Sequence, residues 1–108
     1  MDLDKVITYH AKDVYPEECC GVVIEDGTYI RINNVAEDPL LSFEFDKVQY
    51  TKVLLDENIK YIVHSHPDGS SEPSEHDIKA CNFLGIPYMI VSFPDVDITI
   101  VEPGDLNV

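Results

Sequence analysis

The stretch IKYIVHSHPDGSSEPSEHD, residues 59–77, decides how this chain is read. Its first eight residues are rich in β-branched and aromatic side chains, as expected of a strand running into the polar segment that follows. His64 and His66 stand two apart at the end of that strand. Side chains at i and i+2 of a strand leave the same face, so both imidazoles can aim at one point. Pro67 stops the strand and Asp68-Gly69 turns the chain. A helix is expected to open at Ser74, with Asp77 in its first turn. Two imidazoles and one carboxylate make three metal ligands. Zinc with three protein ligands keeps its fourth position for water, the catalytic form of a zinc site and not the closed structural one.

Each fragment also has an ordinary explanation. His-x-His pairs are common, Pro-Asp-Gly is turn chemistry, and Ser-x-x-Asp resembles a capping box that more often ends in Glu or Gln. What is rare is the combination at this spacing. Capping and chemistry are compatible, because Ser74 can cap the helix while its hydroxyl faces a metal. His76, the helical neighbour of Asp77, points roughly 100° away from it and is expected on the surface.

Upstream, Leu3, Val6, Ile7, His10, Ala11 and Val14 fall at helical spacing, which predicts an amphipathic helix over residues 3–14, ended by Pro16. His10 lies on its apolar stripe as a core or boundary histidine. CGVVIEDGTYIRI, residues 20–32, predicts a hairpin with Asp26-Gly27 as a two-residue turn. Residues 33–42 read as a loop and residues 46–55 as a helix capped by Asp46. Downstream, a helix over 74–84 is stopped by Gly85. YMIVSF and VDITIV then predict two strands joined at Pro94-Asp95. There are no repeats, low-complexity tracts or linkers. The alternation predicts an α/β fold in one layer-packed domain.

Twenty-one acidic residues against seven basic ones leave a net charge of −14. Such a surface repels phosphate backbones and anionic lipid, so neither nucleic acid nor membrane is an expected partner. No apolar run is long enough to span a bilayer, and MDLDKVITYH lacks the basic start and apolar core of a signal peptide. A cytoplasmic location is expected. Cys19 and Cys20 are adjacent and Cys81 is distant, which is neither a disulfide framework nor a zinc-finger spacing. All three read as small core residues.

HSHPDGSSEPSEHD resembles the His-x-His-x₇-Ser-x₂-Asp signature of the JAMM (MPN+) zinc metallopeptidases. That family places a Glu-x-x-Gly element after its first helix, and here Glu18-Cys19-Cys20-Gly21 stands at that place. The resemblance covers nearly the whole chain. The wording ECCGVV, HSHPDG and GIPYMIVS is most similar to the N-terminal domain of phage tail-assembly proteins of the lambda K type.

The resemblance implies that residues 1–108 form one JAMM (cytidine deaminase-like) metallopeptidase domain, a mixed β-sheet flanked by helices. It implies Zn2+ held by His64, His66 and Asp77, Glu18 as general acid/base and Ser74 as stabiliser of the oxyanion. Zinc acidifies the water it holds and polarises a carbonyl, and a nearby carboxylate can move the proton. Glu17 competes with Glu18, but only Glu18 fits the spacing, and neighbouring strand residues face opposite ways. The implied reaction is hydrolysis of a peptide or isopeptide bond in a protein or peptide substrate. That substrate is a phage tail polypeptide or, alternatively, the C-terminus of a ubiquitin-like or sulfur-carrier protein. The short span between Gly21 and His64 leaves no room for the ubiquitin-gripping insertion of eukaryotic relatives. A non-catalytic zinc-binding scaffold is the reading from a different class. Deaminase chemistry is not expected, since neither His-x-Glu nor Pro-Cys-x-x-Cys is present.

Overall fold

Alternation along one central strand divides the core in two. In the computed structural model, which describes residues 2–104, that strand is β3 (Ile59–Pro67). It lies third in a five-stranded sheet of order β2-β1-β3-β4-β5, with β1 at Cys20–Ile24, β2 at Tyr29–Ile32, β4 at Tyr88–Phe93 and β5 at Ile98–Val101. β3 pairs antiparallel with β1 and parallel with β4, so the sheet is mixed. Ile62 faces a core with Val22, Ile32 and Ile90, covered by helices α2 (Lys47–Asp56) and α3 (Glu75–Leu84) through Val53 and Cys81. Its neighbour Val63 faces the opposite core with Val23, Met89 and Val91, covered by helix α1 (Leu3–Val14) through Ile7 and Ala11. A strand buried on both faces reads as a continuous apolar run, and β1 and β4 are of that kind.

The helices begin where side-chain caps satisfy their free N–H groups. Asp2 accepts from the Asp4 N–H at 3.0 Å, Asp46 from Gln49 at 3.0 Å, and Ser74 from Asp77 at 3.1 Å. Gly85, at φ +69°, closes α3 in the left-handed conformation. All three cysteines are buried, as small core residues should be. Burial pushes the Cys19 thiol up to about 11 and that of Cys20 to about 12, so neither is a thiolate near neutrality. Among the described residues, no helix is long and apolar enough to cross a membrane.

Three boundaries differ from the sequence reading. The first hairpin turns through three residues, not two. The Ile24 carbonyl accepts from Gly27 N–H at 2.9 Å while Ile24 N–H donates to the Thr28 carbonyl at 3.0 Å, and Gly27 takes φ +91°. This is a turn followed by a left-handed glycine, which Asp-Gly serves as well as the two-residue form. β5 begins at Ile98 and not at Val96, because Ser92 gathers the chain into a turn: Asp97 N–H donates to Ser92 Oγ at 3.0 Å and Ser92 N–H to the Asp97 carbonyl at 2.9 Å. β3 runs on through Pro67. The proline lacks an N–H, but Asp68 N–H makes the bond to the Phe93 carbonyl at 2.7 Å.

Candidate metal centre

His64 and His66 leave β3 on the α2/α3 face, the face Ile62 shares, as strand period requires. α3 delivers Asp77 from above. Ser74 and Asp77 form a capping box in which Ser74 N–H donates to Asp77 Oδ2 at 2.9 Å. An aspartate thus fills the place more often taken by a longer acid, and the box aims its carboxylate at the strand. His64 Nε2 lies 3.0 Å from Asp77 Oδ1, and His66 Nε2 lies 3.0 Å from Asp77 Oδ2. One ligand atom from each of the three residues falls within 4.8 Å of the others.

The donor set fits a divalent metal such as zinc. His66 Nδ1 donates to the Ser70 carbonyl at 2.9 Å, which orients the ring with Nε2 towards Asp77 Oδ2 and makes Nε2 the nitrogen that would ligate a metal once a cation displaces its proton. His64 is 1% exposed, and among the described residues neither of its ring nitrogens has a hydrogen bond; its 3.0 Å approach to Asp77 is out of line for one. An orphaned imidazole nitrogen in the interior is costly unless something binds it. A cation between the three groups would satisfy it.

The electrostatics agree. Burial pulls the His64 imidazole below its ordinary value, against the attraction of Asp77, and so keeps it neutral. His66 is raised, chiefly by its bond to Asp77. Burial pushes the Asp77 carboxyl up, but the two histidines and the Ser74 N–H outweigh it and hold the group well below the usual carboxylate range.

Glu18 arrives from the other strand of the β1–β3 pair. Their register matches Cys20 with His64 and Gly21 with Val63, and continued past Cys20 it sets Glu18 opposite His66. Ser65, the residue between the histidines, locks that register: its Oγ accepts from Cys19 N–H at 2.7 Å and its N–H donates to the Cys19 carbonyl at 3.1 Å. Gly21 is needed for a steric reason. A Cβ there would meet the Ile30 carbonyl oxygen at 2.5 Å and the Tyr29 ring at 2.6 Å. Glu18 is buried and Glu17 exposed. Burial raises the Glu18 carboxyl to about 7, with His66 lowering it and Asp77 raising it.

Glu18, His66, Ser74 and Asp77 line one cleft of about 390 Å³, walled by Leu41, Ser42 and Phe43. All five predicted site residues therefore meet: four on the cleft, with His64 behind His66. His76 is exposed and outside the ligand group, as expected, yet it stands at the rim. His10 is a satisfied boundary histidine, its Nδ1 2.7 Å from the Tyr29 hydroxyl. Sequence reasoning missed Phe43, whose ring stacks on His64 at 4.7 Å, and Asn34, which ties the Glu18 carbonyl to the 35–44 loop. Neither lies in a periodic segment that could have signalled it.

A mixed sheet with helices on both faces, a His-x-His strand end and a capped aspartate define a JAB/MPN domain. Residues 2–101 match the family of prokaryotic homologs of the JAB domain, and the chain belongs to that family. It is 36% identical over 104 residues to tail tip assembly protein K of Escherichia phage N15, an alignment covering 93% of this chain and 43% of that protein. The chain thus spans less than half the length of that relative. Its fold is similar to a JAB1/MPN domain protein from Archaeoglobus fulgidus, with a TM-score of 0.64, 22% identity and coverage of 93% of this chain and 83% of that one. It is similar also to a protein from Desulfitobacterium hafniense, with a TM-score of 0.70, 20% identity and coverage of 93% and 80%.

Proposed function

We propose that residues 1–108 are a zinc metallopeptidase domain that hydrolyses a peptide or isopeptide bond in a protein substrate, in the cytoplasm of a host during phage tail assembly. The observation that carries this is the convergence of two imidazoles and a carboxylate beside a separate, buried carboxylate on the same cleft. His64, His66 and Asp77 would hold the metal. When bound, the metal supplies Lewis-acid activation of water and of the scissile carbonyl. Glu18 takes the water's proton on its carboxylate and returns it to the leaving amine; an acid raised towards neutrality suits both transfers. Ser74 Oγ accepts from Asp77 N–H, which leaves its own proton to donate to the carbonyl oxygen as negative charge develops there. Leu41 and Phe43 supply the apolar part of the cleft wall. The tail-assembly setting rests on the similarity to tail tip assembly protein K.

The test compares wild type, Glu18→Gln and Glu17→Gln at matched zinc content, on a diverse peptide library and on phage tail-tip polypeptides, read by mass spectrometry. Glu18→Gln keeps the size and one oxygen but cannot carry a proton, so it should lose roughly 10²-fold or more in turnover. Glu17→Gln should match wild type. A folded, zinc-loaded wild type that cuts nothing would replace this reading with a non-catalytic zinc scaffold. Efficient trimming of a ubiquitin-like protein's C-terminus, with tail polypeptides untouched, would move the substrate to the isopeptidase class.

A further inference from the structure

A second hollow of about 250 Å³ lies against the metal cleft, and the two share Phe43, His76 and Asp77 as a common wall. Its lining differs in kind. Phe43 and Phe45 project from alternate positions of the loop before α2, Tyr50 from α2 and Tyr88 from β4. These rings pack as a chain: Phe43 lies 5.4 Å from Phe45, Phe45 lies 4.9 Å from Tyr50, and Tyr88 meets His64 edge-on at 5.7 Å. Ala80 and Leu84, one helical face on from Asp77, complete the wall. Ala80 is the small residue that leaves the space open.

The size and chemistry select an occupant. A cavity of ~150 Å³ lined by apolar side chains is enough to hold a benzene ring, so this hollow admits one aromatic or large aliphatic side chain. It is too small for the surface of a folded domain. Glu44 and Asp77 on its edge disfavour an acidic side chain. Tyr88, only 4% exposed, forms part of the wall of the hollow.

We infer that this hollow is a specificity pocket, taking a large apolar side chain (Phe, Leu or Met) one or two residues from the scissile bond. The inference rests on the hydrolase reading of the neighbouring cleft, because continuity with that cleft names the occupant as part of the substrate. The reach is short, because Asp77, a ligand in that reading, is part of the shared wall. Filling an apolar pocket of this kind discriminates by roughly 10- to 100-fold against alanine.

The test has two arms. In the first, zinc-loaded Glu18→Gln protein is titrated with blocked pentapeptides, Gly-Gly-Phe-Gly-Gly, its Leu counterpart and its Ala counterpart, and amide NMR shifts are followed. The Phe and Leu peptides should perturb Tyr50, Ala80, Leu84 and Tyr88 and bind at least roughly tenfold tighter than the Ala peptide. Ala80→Phe and Leu84→Trp each fill the space, the latter from a half-exposed rim position that the fold tolerates readily. Either should erase that preference while zinc content stays unchanged. Equal binding of the three peptides, or shifts confined to other surfaces, overturns the pocket. In the second arm, wild type cuts a peptide library, and the cut sites should carry a large apolar residue within two positions of the bond. Cutting with no such preference also overturns it. Selective binding of the Phe and Leu peptides with no cutting at all upholds the pocket as a peptide site and removes the hydrolase reading instead.

Discussion

Asn34 Nδ2 donates to the carbonyl of Glu18 at 3.1 Å and to that of Ser42 at 3.0 Å, while its Oδ1 accepts from the N–H groups of Ala36 at 3.0 Å and Glu44 at 3.1 Å. That uses all four hydrogen-bonding capacities of an amide side chain. Glu18 N–H in turn donates to the Pro39 carbonyl at 2.8 Å. The segment that carries Glu18 and the loop that carries Leu41 and Phe43 are therefore one hydrogen-bonded unit. Asn34→Ala would leave two carbonyls and two N–H groups seeking other partners, at a cost of about 1–3 kcal/mol. Amide exchange at Ala36 and Glu44 should accelerate, with zinc content unchanged. Exchange equal to wild type at both amides would show that the loop does not depend on this side chain.

The metal prediction is stoichiometric. Purified protein should carry about one zinc per chain, by elemental analysis. His66→Ala and Asp77→Ala should lose most of it, and chelation should lower the Tm, since binding to the folded state alone stabilises it. His76→Ala should retain full occupancy. Loss of zinc in His76→Ala with full occupancy in Asp77→Ala would mean that the rim histidine, and not the interior carboxylate, holds the ion.

Ser74 has two separable tasks. As the cap of α3 its removal in Ser74→Ala should cost about 1 kcal/mol in denaturant unfolding. As a donor to the carbonyl oxygen its removal should cut turnover per folded molecule by roughly 10²-fold. A stability loss with turnover intact would leave Ser74 a cap and nothing more.

His10 supplies a pH dependence away from the metal. Burial pulls its imidazole from 6.5 to about 4, with Arg31 adding to the shift and Asp13 opposing it. The unfolded chain takes up a proton at His10 near 6.5, whereas the folded chain resists until about 4. Its contribution to stability is therefore complete above 6.5 and is lost as the pH falls from 6.5 towards 4. Urea unfolding of wild type and His10→Gln at about pH 7.5 and about pH 5 should show a smaller loss on acidification in the variant. Equal losses would exclude His10 as a contributor to acid lability.

Much of the fold was open to reading along the chain, because helix and strand periods and their caps are local. The stretch over residues 59–77 placed His64, His66 and Asp77 together by strand period and a helix N-terminus alone, and the structure groups them. Boundaries shifted where a side chain acted on backbone it does not adjoin, as when Ser92 drew Asp97 into a turn and delayed β5.

The surroundings of those three residues had a different origin. Glu18 meets them only because β1 pairs with β3 in one register, and a slip of one residue would have sent its carboxylate to the α1 face and presented Glu17 or Cys19 in its place. Phe43 stacks on His64, and Asn34 fastens the loop, from a segment with no period to read. Chain geometry over a dozen residues is a property of one element and can be derived from its sequence. The placement of Glu18 opposite His66, and the apolar hollow beside Asp77, depend on how separate elements pack. Only the closing of the sheet and its two helical layers decided them.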